Sequence, residues 1–268
     1  MALARHSAPE LMSFIELETQ ASTRFRLAAD ENNCVGPVGH CFVFGGAAAA
    51  AAARSMELAY SAHITIVDTH FYRTIPYGSE LLIEVELPKR GRQLQRARAI
   101  GTVDGKVVME SLGTLSQDMP LATTVWTPPS FQRTPPEDCP QWTGFPPQDE
   151  RGKLLERLDL RLASGAQFDG TGVTALWART RAGGALDTIQ LSLFADLLPG
   201  GIGHSVGRLG GGPSLDNHLR VFSVAETEWV LCEMQTVSRN SRLAHGELRL
   251  FSAEGLLLAN ASQSLQVL

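Results

Sequence analysis

Apolar and polar positions change period along this chain in an order that occurs twice. Thr23-Arg24-Phe25-Arg26-Leu27 alternates with the period of two that a half-buried strand requires. A Gly/Pro-rich loop (Gly36-Pro37-Val38-Gly39) and Gly45-Gly46 follow, and a helix is predicted from about Ala47 to Tyr60. Strand-like runs return over 64–72, 80–88, 93–103 and 107–116. They are separated by Pro76 and Gly78, by Lys89-Arg90-Gly91 and by Asp104-Gly105. Asp-Gly between two β-rich runs is a hairpin signal. In the second half Leu158-Asp159-Leu160-Arg161-Leu162 alternates like its counterpart. A helix is predicted over Leu186 to Leu198, and strands over 214–222, 228–237, 243–252 and 256–267.

Residues themselves repeat. Ile66-Val67-Asp68-Thr69-His70-Phe71 answers to Ser214-Leu215-Asp216-Asn217-His218-Leu219, and Asp104-Gly105 answers to Glu254-Gly255. Eight residues past that glycine the first copy has Gly113 and the second Gln263. The offset grows from 135 residues at Arg26/Arg161 to 148 at Asp68/Asp216, which places extra residues near Trp177 and in a glycine-rich loop over 200–212. Eight of the fourteen prolines lie in 119–150, so this stretch reads as a stiff surface linker, with Trp126, Phe131 and Trp142 as its anchors. Three segments result: a first domain over 1–118, the linker over 119–150 and a second domain over 151–268. The alanine-rich helix is apolar on every face, as suits a central helix wrapped by a curved antiparallel sheet.

Composition narrows the function. Hydrophobic residues make up 44% of 268 and charged residues 19%, enough for a core, with a net charge of −5. That balance gives no electrostatic reason to hold nucleic acid or an anionic membrane. Cys34, Cys41, Cys139 and Cys232 match no zinc spacing and read as reduced thiols; no metal is expected. The start of the chain lacks the apolar run of a signal peptide, and Ala47–Ala53 is too short to cross a bilayer, so a cytoplasmic location is expected.

The chain resembles the type II acyl-CoA thioesterases. The resemblance rests on Val43-Phe44-Gly45-Gly46 entering the first helix and on Asp68-Thr69-His70-Phe71-Tyr72-Arg73. In the second copy it rests on Ser214-Leu215-Asp216-Asn217-His218, Glu228-Trp229-Val230-Leu231 and Ala259-Asn260-Ala261-Ser262-Gln263. It implies an α+β double hotdog: two tandem domains, each a helix wrapped by antiparallel strands, joined into one sheet. It implies hydrolysis of an acyl-CoA or acyl-carrier thioester, with no cofactor beyond the CoA of the substrate. It also implies a catalytic Asp, hydroxyl and Gln, carried here by Asp216, Thr236 (or Ser238) and Gln263. The chain departs from the family at Gln235, where an acid is usual, and at Ala47, where Gln is usual.

Thioester hydrolysis needs a base for water and donors for an oxyanion. Asp216 supplies a carboxylate, while Gln263 and a hydroxyl at 236 or 238 hold water without changing protonation state. The N–H groups of Gly45, Gly46 and Ala47, at the start of a helix, are the oxyanion donors in this scheme. Arg90, Arg92, Arg96 and Arg98 form the densest basic cluster and are candidates for CoA phosphates. Two other functions fit the pattern: a hotdog dehydratase or hydratase using His40 with Glu57, and a non-catalytic acyl-thioester binder. Association into a homodimer or larger oligomer fits either.

Overall fold

The fold was analysed in a computed structural model. It describes residues 15–89, 91, 93–118, 124, 126, 129, 134–164, 170–183 and 186–267. Arg90, Arg92 and Phe131 lie outside these residues.

The first copy contributes β1 (Glu18–Ala21), β2 (Arg24–Ala28), the short pair β3 (Cys34–Val35) and β4 (Phe42–Val43), and helix α1 (Gly45–Tyr60). It continues with β5 (His63–Phe71), β6 (Glu80–Lys89), β7 (Leu94–Val103) and β8 (Lys106–Ser116). The second contributes β9 (Leu158–Ser164), β10 (Val173–Thr180), helices α2 (Thr188–Ala195) and α3 (Leu198–Ser205), and then β11 (Asp216–Val221). It closes with β12 (Val230–Arg239), β13 (Leu243–Ser252) and β14 (Leu257–Gln266). Twelve strands form one antiparallel sheet in the order β1-β2-β6-β7-β8-β5-β11-β14-β13-β12-β10-β9. The order is the same read from either end toward the β5–β11 seam, so the architecture is the double hotdog.

This order corrects one pairing of repeats. β9 is the counterpart of β1, and β10, carrying Trp177, is the counterpart of β2. The residues near Trp177 are therefore a strand of the repeat rather than an insertion. The alternation of Leu158–Leu162 is like that of β2 and unlike exposed Glu18–Ala21 of β1, and only the ladder partners give the true match.

The second central helix is also not one helix. It breaks after Ala195, and Asp196 and Leu197 lie between α2 and α3. Pro199 explains the break: it lacks the N–H that would bond the Ala195 carbonyl, and its ring collides with that carbonyl in a continuous helix. The 200–212 segment, expected as a loop, is helical up to Ser205 because its backbone packs under the sheet, with Gly200, Gly201 and Gly203 all buried. At Gly200 a Cβ would come within 2.4 Å of the Trp142 ring.

Helices α1 and α2 lie side by side and antiparallel. Gly46, at the start of α1, touches Leu193 and Asp196 at the end of α2. At the other end, Thr188 of α2 donates to Glu57 of α1 at 2.7 Å. Ala47 to Ala53 are all at most 2% exposed, and their small side chains permit this close approach.

The seam shows what the Asp-x-His repeat does. Across β5–β11, Asp216 lies opposite His70, Asn217 opposite Thr69 and His218 opposite Asp68. Thr69 and Asn217 point inward and are buried, so the Asp and His side chains share the outer face of the sheet. His218 Nδ1 meets Asp68 Oδ1 at 2.9 Å across the copies, and His218 Nε2 lies 4.0 Å from Asp216 Oδ2 within its own copy.

The linker is pinned by Trp142, while Trp126 stays exposed. The Trp142 N–H donates to Leu160 O, and its ring packs on Phe145 at 5.1 Å. Gln148 and Asp149 accept from the N–H groups of Gly36 and Gly39, fixing the first copy's loop. Truncating this buried ring leaves a cavity. Trp142→Ala is expected to lower the unfolding free energy by about 3–5 kcal/mol, read as a fall in urea midpoint at unchanged slope. A change below about 0.5 kcal/mol would show that the linker only crosses the surface.

Candidate active site

The break between α2 and α3 turns the Asp196 side chain toward the first copy. A carboxylate at the C-terminal end of a helix opposes the helix dipole, but this one meets the N-terminal end of α1. The Gly46 N–H donates to Asp196 Oδ2 at 2.5 Å. Phe44, the residue before α1, offers no capping side chain, so Asp196 supplies the cap from the other copy. Gly46 has to be glycine for this: a Cβ there would lie 2.7 Å from Asp196 Cβ and 2.8 Å from Leu193 O.

Two further side chains reach the same carboxylate. Gln263 Nε2 donates to Asp196 Oδ1 and, at 2.8 Å, to Ser214 Oγ. The Ser214 hydroxyl donates to Asp196 Oδ1 at 3.4 Å. Asn217, without a hydrogen bond to it, also favours the charged form of this carboxylate. Burial outweighs all of these and pushes the Asp196 carboxyl up to about 6. Two buried atoms beside the cluster have no hydrogen-bond partner, Gln263 Oε1 and Asn217 Nδ2.

Asp196 and Ser214 form part of the wall of a cavity of about 720 Å³. Its apolar side comes from the first copy, with Val35, Phe42, Phe44, Phe71 and Ile75. The linker adds Phe145 and Pro146, and the loop after α3 adds Arg208 to Leu215. Arg73, Arg208 and His40 are the cationic or titratable-base residues among the lining residues.

The residues expected from sequence separate in space. Gln263 and Gly46 meet at Asp196, with Gly45 in the cavity wall and Ala47 next in the helix. Asp216 lies on the outer sheet face, where its Oδ1 accepts from the Ser264 N–H at 2.7 Å. Thr236 shares a register row with Gln263 through Gly246, which puts it two strands away, roughly 10 Å at ordinary strand spacing. Its hydroxyl bonds Ser205 at 3.0 Å. Ser238 is exposed. His40 lines the cavity, but Glu57 is buried in the far half of α1, bonded to Thr188 and the Ile64 N–H, so the pair is not assembled. Arg96 bonds Thr114, and Arg98 bonds Glu110 and Glu86, so both are engaged on the sheet away from the cavity.

Asp196 and Ser214 were not singled out from sequence. The available signal was chemical: Asp196 is a lone acid inside Leu193-Phe194-Ala195-Asp196-Leu197-Leu198, a run that packs wholly in the core. Ser214 stands in the Ser-Leu-Asp motif, whose acid, Asp216, has the more evident chemistry.

The first copy lacks this chemistry. β5 pairs with β8 as Val67 opposite Gly113. One step along the ladder from the β11–β14 pair His218–Ser262, Asn217 stands opposite Gln263. The ladders therefore match Asn217 with Val67 and Gln263 with Gly113. The repeated Asp-x-His is offset by two residues from this frame, which preserves its face but not its position. A Cβ on Gly113 would meet Met56 Sδ at 2.6 Å and Ile64 Cδ1 at 3.3 Å, so apolar side chains fill the corresponding cell.

Comparison with known proteins agrees with this architecture. A family model described as the acyl-CoA thioesterase N-terminal domain matches residues 35–116, and one described as the C-terminal domain matches 136–267. The chain is similar to a Novosphingobium aromaticivorans protein assigned as a thioesterase. The two are 35% identical with a TM-score of 0.87, over 94% of this chain and 98% of that one. It shares its fold with a protein assigned as thioesterase II from Thermobifida fusca, at 18% identity and a TM-score of 0.81 over 95% and 97% of the two chains. The acyl-CoA thioesterase II TesB2 of Mycobacterium marinum also has this fold, at 17% identity and a TM-score of 0.72 over 95% and 96%. The curated proteins give no match. With both halves of the chain matched in order and a relative aligned along nearly its whole length, this protein belongs to the type II acyl-CoA thioesterase family of thioester hydrolases.

Proposed function

We propose that the protein hydrolyses acyl-CoA to the free acid and CoA, with Asp196 as the base. The observation that carries this is a wholly buried carboxylate, held by donors from both copies, in the wall of an apolar cavity. Ionised Asp196 takes a proton from water held between it and the Ser214 hydroxyl, while the water oxygen bonds to the thioester carbon. The charge moving to the carbonyl oxygen is met by first-turn N–H groups of α1, at Gly45 and Ala47, which have no acceptor within the helix. The adduct collapses, the C–S bond breaks, and the thiolate leaves with the electron pair and takes the proton back from Asp196. Gln263 bonds both Asp196 and Ser214 and so fixes their relative position. The apolar lining suits the acyl chain, each buried methylene being worth about 0.8 kcal/mol.

The raised carboxyl sets the pH dependence. Below about pH 6 Asp196 is protonated and cannot accept a proton, so kcat should rise with pH through about 6 and level off above it. Asp196→Asn is expected to cut thiol release by about 10²–10⁴-fold. It removes a buried charge and so should melt no lower than wild type at pH 8. Asp216→Asn, on the outer face, should stay within a few-fold of wild type. The reverse ranking of these two variants would move the base to Asp216. Screening short, medium and long acyl-CoAs for thiol release reads both, and tight binding with no release at any length would identify a non-catalytic binder.

Gly46 gives a separate check. Gly46→Ala places a Cβ against Asp196 and Leu193, so kcat should fall by about 10²-fold as the carboxylate loses its donor. A variant with wild-type kcat would show that this contact does not set the rate.

A further inference from the structure

We infer that Asn217 is a positioning residue of this site, whose side-chain amide aligns the Gln263 amide and the Asp196 carboxylate and is not needed by the fold. The inference rests on Asp196 as the base and adds a residue to that machinery.

Asn217 sits on the inner face of β11, 3% exposed, across the ladder from fully buried Gln263. Its Nδ2 has no hydrogen-bond partner, and neither has Gln263 Oε1. One is a donor and the other an acceptor, on facing positions of neighbouring strands. A buried amide N–H left unmade costs about 1–3 kcal/mol. The first copy shows that the fold does not require this: the matching position is Val67, 2% exposed, opposite Gly113. The second copy thus carries a destabilising side chain where an apolar one fits.

What it serves lies next to it. The Asn217 amide acts on Asp196 from outside hydrogen-bond geometry, in the sense that favours the ionised form. Turned toward Gln263, the same amide fixes which end of Gln263 faces the carboxylate, leaving Nε2 on Asp196 and Ser214. The other leading groups on Asp196 are the Gly46 N–H of α1, Ser214 and Gln263, all neutral. Arg73, Arg208 and His40 line the cavity that Asp196 joins, and the charged or titratable groups of α1, α3 and β11 stand elsewhere. Arg54 and Glu57 are in the far half of α1. His204 of α3 bonds Trp142. Asp216, His218 and Arg220 are on the outer face of β11. Asn217 is therefore one of the few adjustable donors for a base that works ionised.

The test uses Asn217→Val, which installs the first copy's residue, and Asn217→Asp, which puts a second carboxyl beside Asp196. Both are assayed by thiol release from an acyl-CoA that the wild type hydrolyses, across pH 5–9, with thermal melts. For Asn217→Val the expected result is a melting temperature at or above wild type, KM within about twofold, and kcat lower by about 10- to 100-fold, the usual loss for an orienting partner. The acid limb of its pH profile should move to higher pH. Asn217→Asp should shift that limb further, since two carboxyls in one site resist ionising together. If Asn217→Val does not fold, Asn217→Ala takes its place with the same expectations for kcat and the acid limb. Wild-type kcat with an unmoved acid limb would overturn the inference, as would a loss of kcat that only tracks a lower melting temperature. Asp196→Asn run in parallel separates the two ideas: if it is inactive while Asn217→Val behaves as wild type, only the role of Asn217 falls.

Discussion

A buried carboxylate needs donors, and the ones that hold Asp196 come from both copies. Gly46 belongs to the start of α1, while Gln263 lies on β14 and Ser214 just before β11. The Gly46 contact forms only because α1 lies antiparallel against α2, and that packing needs the alanine face of α1 and glycine at 46. The helix break at Pro199 turns the carboxylate outward from its own helix toward the neighbour's N-terminus. One buried charge thus ties together the break, the alanine run and the seam. It also remains undercompensated, since burial wins over every donor and lifts its carboxyl to about 6. That is costly for a structural group and useful for a base working near neutral pH.

The two copies divide these demands. Where the second has Asn217 and Gln263, the first has Val67 and Gly113, with Met56 and Ile64 filling the space. Ile64, Val67 and Met56 are all at most 2% exposed, and each contributes roughly 1.5–3 kcal/mol on burial. The polar cell has two unmet hydrogen-bonding atoms instead. At the opposite end of the helix pair, Glu57 is satisfied by Thr188 and the Ile64 N–H, and Arg54 lies 3.4 Å away. An acid at each end, one satisfied and one poised, separates a structural contact from a chemical one.

Much of the fold was legible in the sequence because strand and helix periods are local. The boundaries of β5 to β8 and β11 to β14 fall within two residues of those expected from alternation and turn residues. Ladder partners are not local, so Leu158–Leu162 matched the wrong strand of the first copy, and Trp177 looked like an insertion. The site was legible only in part for the same reason. Gln263 differs from Gly113 in a repeat that aligns well, and that contrast is visible in one dimension. Asp216 also stands in a repeated motif, but the motif belongs to the seam, where Asp68 meets His218 across copies. Asp196 has no repeat partner and no motif around it. It needed the question of why a core run ending in Leu-Leu-Pro carries an acid, and Pro199 holds the answer.

Joining two hotdogs in one chain is what allows this division. Two identical chains related by a two-fold axis would place the same residues in both cells, so any polar set suited to chemistry would be buried twice. Fusion frees each cell to change alone. The first copy then keeps an apolar cell and contributes its helix start, while the second carries the acid, the amides and the hydroxyl. The linker that fusion requires is used as well. Trp142 anchors it under α3, and Phe145 and Pro146 complete the cavity wall that Asp196 joins. The asymmetry that marks the site is therefore a consequence of covalent connection, since without it neither Met56 in one cell nor Gln263 in the other could exist without its double.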